Sequence, residues 1–208
     1  MGAGLAARLR EETHAQHMEA ERSDAMRALL TGRMPRETYA RLLRALHPIY
    51  RELEAGLEAH ADRPALAWLP RTALARTPAL ARDLAHLAGA DWEATVPESQ
   101  EAGAYAAHLR EIAARDPDRL LAHAYVRYLG DLSGGALLGR AVAKAFDARP
   151  EAGTAFYDFP DVPDATALKR EFRTRLDDAA VDDDAVVDEA RWAFSAHTRL
   201  FAEIMAHR

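Results

Sequence analysis

The 208-residue chain contains no cysteine. Disulfides, thiolate metal centres, iron–sulfur clusters and cysteine nucleophiles are therefore excluded together, and the composition fits the cytoplasm. Positive charge is not in excess. The formal net charge of −6 lacks the basic footprint that nucleic acid requires. Long apolar runs are missing: nothing approaches the ~18–20 residues of a membrane span, and no apolar signal segment precedes the first amphipathic stretch. Gly2 follows Met1, but Ala6 stands where a myristoylation motif wants Ser or Thr. Aromatics are few, and alternating strand patterns and Asn-Gly turns are absent. No repeat, linker or low-complexity segment divides the chain, and its length suits one well-packed domain, 1–208.

What is there is helix. Leu5, Leu9, Thr13 and His17 form an i,i+4 row that predicts a first helix over about 3–22. A short helix near 24–32 should end at Gly32. Pro35 opens a long one to about Ala61, with Tyr39, Leu42, Leu43, Leu46, Ile49, Tyr50, Leu53 and Leu57 on its inward face. Further helices are expected at about 78–88, 100–115, 117–146, 164–177 and 184–206, with an irregular connection over 147–163. The predicted class is all-α.

The segment 117–146 carries the most information. Asp116 and Pro117 mark its start as cap and first-turn proline. Gly130, Gly134 and Gly135 then interrupt an apolar helix, each at a local cost of roughly 1 kcal/mol relative to alanine. Glycine there lets the chain bend, or lets a flat ligand lie on the main chain with no Cβ in the way. Asp131 puts a carboxylate beside whatever approaches.

Nine histidines are candidate ligands: 14, 17, 47, 60, 86, 108, 123, 197 and 207. His17 lies at the edge of the first helix's apolar stripe, so its ring can point inward, and His14 lies further round. His197 is its rival, on the stripe Val186, Ala190, Phe194, His197, Phe201, Met205 of the last helix. Either can equally be a satisfied core histidine. A di-iron carboxylate site needs two Glu-x-x-His motifs, and only Glu11 to His14 supplies one. Ser133 lacks the nucleophile elbow, and the glycine run lacks the Lys-Ser or Lys-Thr of a phosphate loop.

The stretch Leu121 to Gly135, LAHAYVRYLGDLSGG, resembles the signature of the heme oxygenases. The similarity continues in Leu9 to Glu21 (LREETHAQHMEAE), Phe156 to Pro160 (FYDFP), Lys169 to Arg173 (KREFR) and Ala193 to Phe201. The resemblance implies a multi-helix fold that sandwiches heme b between the first helix and a glycine-kinked distal helix. It makes His17 the axial iron ligand and places Glu21 and Phe194 at the heme. It assigns Arg10, Lys169, Arg173 and Tyr125 to the propionates, groups that Arg and Lys suit. Gly130 and Gly134 would lie over the ring and tilt bound dioxygen toward one meso carbon.

Asp131 would hold a distal water network that feeds a proton to oxygen activated at the iron, with Arg127 and Tyr50 in the same polar network. On its own, Asp131 could equally cap a helix break or pair with Arg127 four residues earlier. The implied reaction converts heme, both substrate and prosthetic group, to biliverdin, carbon monoxide and ferrous iron. Electrons would come from a separate ferredoxin or flavoprotein reductase, since no flavin or nicotinamide fingerprint is present. A biliverdin acceptor is a further candidate partner. Departures from mammalian members fall at Ala136 (glutamine there), His197 (asparagine), Val126 (threonine) and Arg10 (lysine). A heme-binding protein that stores or delivers heme would share His17 and the basic clamps without needing Asp131. A non-heme helical enzyme would need neither.

Overall fold

Prolines and short polar side chains set many of the helix starts. The structure, a computed structural model, describes residues 4–150 and 152–206; His207 lies outside the described residues. The predicted first helix is two, α1 (Leu5–Glu12) and α2 (His14–Glu21), meeting at Thr13 with φ −106° and ψ 3°. The Thr13 hydroxyl donates back to the Leu9 carbonyl at 2.6 Å, a bond that bends helices. Nothing in the i,i+4 row signals this.

Ser23 caps α3 (Asp24–Leu30) by accepting the Met26 N–H, and Gly32 closes the turn beyond it at φ 66°. Pro35 precedes α4 (Arg36–Ala59), where all eight residues predicted to face inward are buried. Short α5 (Arg71–Leu74) and α7 (Trp92–Thr95) flank α6 (Thr77–Ala88), and Ser99 caps α8 (Gln100–Arg115). Gly56 of α4 permits a close approach: a Cβ there would stand 3.1 Å from Leu120 Cδ1.

The glycine-bearing segment runs as a 3-10 turn (Pro117–Arg119), α9 (Leu120–Ala124), a wider π turn (Tyr125–Leu129) and α10 (Gly130–Phe146). Asp116 makes no cap bond. Its carboxylate accepts from Arg119 Nε at 3.0 Å instead. The expected glycine bend is also displaced. Gly130 has ordinary helical angles (φ −59°, ψ −51°), and the departure from α geometry precedes it at Tyr125–Leu129. Such π turns relieve the i→i+4 ladder locally and recur at functional sites.

The connection 147–163 is irregular, as predicted, yet firmly held. Buried Asp83 accepts the N–H groups of Gly153, Ala155 and Phe156 at 3.1, 2.9 and 2.8 Å. Buried Arg76 donates to the carbonyls of Phe156 and Asp158 and lies 3.8 Å over the Phe159 ring. These two side chains set the connection beneath α10. The chain ends in α11 (Ala165–Asp177), capped by Asp164, and α12 (Asp183–Ala206). No helix among the described residues is long and apolar enough to cross a membrane.

A polar cluster ties α8, α9 and α12 together. His108 Nε2 and His123 Nε2 both contact Glu189 Oε1, at 2.6 and 2.9 Å, and Tyr105 Oη meets His123 Nδ1 at 2.9 Å. Two ligands of one tetrahedral zinc at ~2.0–2.1 Å would stand about 3.3 Å apart. The observed spacings are those of N–H···O bonds, so both imidazoles donate to one carboxylate. Burial opposes the Glu189 charge, but these donors hold its pKa down at about 2, whereas burial pushes His123 down and keeps it neutral.

Candidate functional site

The first turns of α10 leave the backbone bare. A Cβ added at Gly130 or Gly134 would meet nothing within 4 Å, and Gly130 is exposed. Asp131 stands between them. Its carboxylate accepts a short hydrogen bond from Tyr50 Oη, on α4. Tyr50 Oη in turn accepts from Arg127 Nε at 3.1 Å, and the guanidinium lies 5.1 Å from the centre of the Tyr50 ring. Thus Arg127, Tyr50 and Asp131 do form one network, with the phenol standing between the two charged groups.

Burial raises the Asp131 pKa; Arg127, the Tyr50 bond and Arg76 oppose the rise without cancelling it. Burial likewise works against the Arg127 charge, but Tyr50, Asp131 and Tyr105 more than offset it, so Arg127 stays a cation. The site therefore keeps a carboxyl group that gives up its proton less readily than an exposed one, anchored by a phenol and a fixed positive charge.

His17 of α2 is exposed. Its side chain is 48% exposed, its Nε2 lies 3.6 Å from Glu21 Oε1, and its ring stands edge-on to Phe194 at 5.7 Å. The expected inward orientation holds only for that edge contact, because α2 buries just Ala20. Among the described residues no hydrogen bond engages either ring nitrogen of His17, which leaves the imidazole available as a ligand. His197, the rival, has its ring against Phe201 and is engaged by Arg127, whose Nη1 lies 3.0 Å from Nδ1 and 3.4 Å from Nε2.

The basic residues come from two helices, α1 and α11, and Tyr125 from the π turn. Tyr125 of the π turn interacts with Thr13 at the α1–α2 joint, and Arg10 and Arg173 lie near enough to counter the burial that raises its pKa. Arg10, Lys169 and Arg173 make no ion pair among the described residues. Lys169 Nζ reaches the Leu132 carbonyl of α10 at 3.5 Å. Cations left without carboxylates around an open face suit an anionic ligand.

Two supports were not read from the sequence. Arg191 of α12 donates to the Glu12 carbonyl at 3.2 Å and to its carboxylate at 2.6 Å, fixing the end of α1 beside the joint that aims α2. Tyr157, on the clamped connection, backs the other side of α10 against Gly135 and Gly139. Both depend on contacts far apart in the chain, which no local pattern reveals.

The family model for heme oxygenase matches residues 3–203. The chain belongs to the heme oxygenase family. It is 35% identical over 207 residues to heme oxygenase 1 of Nostoc sp., covering 98% of this chain and 87% of the relative. Identity to human heme oxygenase 1 is 34%, over 96% of this chain and 71% of that protein. Among solved structures, heme oxygenase-1 of the cyanobacterium Synechocystis sp. in complex with heme superposes with a TM-score of 0.92 at 34% identity, covering 99% of this chain and 94% of that one. The family membership accords with the all-α architecture.

Proposed function

We propose that this chain is a heme oxygenase that cleaves heme, with dioxygen and externally supplied electrons, to biliverdin, carbon monoxide and ferrous iron. One observation carries the reading. A half-buried carboxylate, Asp131, is anchored by Tyr50 between two glycines that leave the helix surface bare. A protein that only stored or delivered heme would need an axial imidazole and basic clamps, but no acid beside the open face.

The residues fit the group: an imidazole with no hydrogen bond among the described residues, a backbone face with space above it, and cations that make no ion pair among the described residues. His17 would hold the iron, flanked by Glu21 and Phe194. Arg10, Lys169, Arg173 and Tyr125 would take the propionates, and Gly130 and Gly134 would admit the ring. When bound, heme supplies the iron at which dioxygen is activated and is itself the substrate. Asp131 holds a proton closer to neutral pH than an exposed carboxylate does, and passes it toward the pocket through water. Tyr50 fixes the carboxylate, while Arg127 limits how far its pKa rises.

Electrons come from a separate ferredoxin or flavoprotein reductase, and the product leaves to solution or to a biliverdin acceptor. The protein works in the cytoplasm as one domain over 1–208.

The test is a single turnover. Protein loaded with hemin receives a reductant in air with catalase present, and the Soret band is followed while the product is extracted. Loss of the band with release of biliverdin is expected. A stable ferric or oxygenated complex would transfer the chain to the non-degrading binders, and absence of a defined heme spectrum would defeat both readings.

A further inference from the structure

Helix α1 has no cap of its own. Gly4 at its N-cap has no side chain to offer, and no acidic residue stands in its first turn. The Ala6 N–H donates instead to Oδ1 of Asp177, the last residue of α11, at 2.8 Å. A side-chain oxygen on a first-turn N–H is what a local cap supplies in other helices. Here it comes from a residue 171 positions further along the chain. Gly4 is fitted to this contact, since a Cβ there would stand 2.5 Å from the same Oδ1 and 2.7 Å from its carboxyl carbon.

Asp177 also ends a row. Lys169, Arg173 and Asp177 are spaced by four and share one stripe of α11, and Ala6 and Arg10 share one of α1 in the same way. Arg173 and Arg10 therefore each stand one turn from the Ala6–Asp177 bond, on the two helices that it joins. Both act on Tyr125, lowering its pKa against the burial that raises it. Two guanidiniums held near one phenol repel each other, and the bond between their helices works against that repulsion. The other ties of α1 run to α12, from Arg8 to Asp184 at 2.7 Å and from Arg191 to Glu12 at 2.6 Å. They do not set its distance from α11.

We infer that Asp177 is a positioning residue for the basic clamp: by capping α1 from α11, with Gly4 making room, it holds Arg10 and Arg173 at a fixed spacing before a ligand arrives. A ligand carrying two carboxylates then meets cations already in place, and less order is imposed on binding. The alternative, that Asp177 is a plain cap that only stabilises α1, leaves the shared stripe and the common target of the two arginines without consequence.

The inference rests on the heme reading for its ligand, but its geometry can be tested without heme. In the heme-free protein, carbon-13 NMR of the Tyr125 phenol reports how close the two arginines are. Asp177→Ala should raise the Tyr125 pKa, because Arg10 and Arg173 move away, and amide exchange at Ala6 should quicken about three- to tenfold, the scale of one lost cap. Removal of a negative charge alone would shift Tyr125 the other way. Asp177→Asn, whose amide oxygen still accepts, should stay close to wild type. Gly4→Ala displaces the carboxylate without altering it and should behave as Asp177→Ala.

In binding titrations, Asp177→Ala and Gly4→Ala should weaken hemin about three- to tenfold, yet leave the affinity for hemin dimethyl ester, which lacks the carboxylate charges, unchanged. Equal losses for hemin and its ester would make Asp177 a plain cap and overturn the inference. So would a Tyr125 pKa that is unchanged or lowered in Asp177→Ala. If the wild type binds neither porphyrin, the heme reading fails, and the direction of the Tyr125 shift alone decides the positioning role.

Discussion

Gly130 and Gly134 stand one turn apart on α10, and among the described residues no packed neighbour outside the local helix backbone comes within 4 Å of where a Cβ would sit. Gly135 and Gly139 form the neighbouring row, and there a Cβ would come within 3.8 and 3.0 Å of Tyr157. The two rows share a helix and a helical backbone but answer different demands. The second makes room for the protein's own chain, the connection clamped by Asp83 and Arg76. The first makes room for nothing in the protein, which is what a surface kept bare for a ligand looks like. Roughly 1 kcal/mol of helix propensity is forgone at each position. On the packed row the fit of Tyr157 offsets that loss; on the open row the proposed heme would.

Breaking the open row's chemistry should have the largest effect. Asp131→Ala should cut biliverdin formation about 100-fold in single turnover, a usual size for a lost proton donor, while hemin still binds with an unchanged spectrum. A near wild-type rate would remove the carboxylate from the account.

A control outside both rows comes next. Glu189→Gln should lower stability by about 2–3 kcal/mol, since two imidazoles lose a charged acceptor, or about 4–12 °C in Tm. In the wild type, the unfolded chain protonates its histidines below about pH 6.5 while buried His123 resists, so stability falls as pH drops through that value. Glu189, held at about 2 against an ordinary 4.5, adds a second loss between those pH values. Calorimetry across pH should show that lower step vanish in Glu189→Gln, with hemin affinity little changed.

Gly130→Ala sharpens the contrast, because its two effects should have opposite signs. The heme-free protein should gain up to about 1 kcal/mol in denaturant unfolding. Hemin affinity should fall by about 1–3 kcal/mol, the usual penalty of a methyl group forced into a packed contact. Gly139→Ala should do the reverse on a smaller scale: a loss of about 1 kcal/mol in stability from crowding Tyr157, with hemin affinity unaltered. Equal behaviour of the two alanine variants would erase the distinction between the rows.

Much of this architecture was legible in the chain. The inward row of α4, the glycine end of α3 and the irregular 147–163 segment follow from periodicity, glycine and proline. So does the expectation that the glycines of 117–146 serve close approach. Sequence could not show which glycines meet a ligand and which meet Tyr157, because that depends on a connection pinned by Asp83 from seventy residues away. The sequence predicts a bend at the glycines; the departure from α geometry falls before them, at Tyr125–Leu129. No residue type announces a π turn.

Thr13 was read as part of a continuous stripe, yet its hydroxyl and Arg191 create the joint that carries His17. The family resemblance names candidate residues and puts Arg127, Tyr50 and Asp131 in one network; it does not show that Tyr50 stands between the other two.

The most direct test is a crystal structure of the protein with heme bound. The account predicts iron coordinated by His17, the porphyrin face against Gly130 and Gly134, and the propionates among Arg10, Lys169, Arg173 and Tyr125. Iron held by His197, or a porphyrin seated away from the open glycine row, would contradict it.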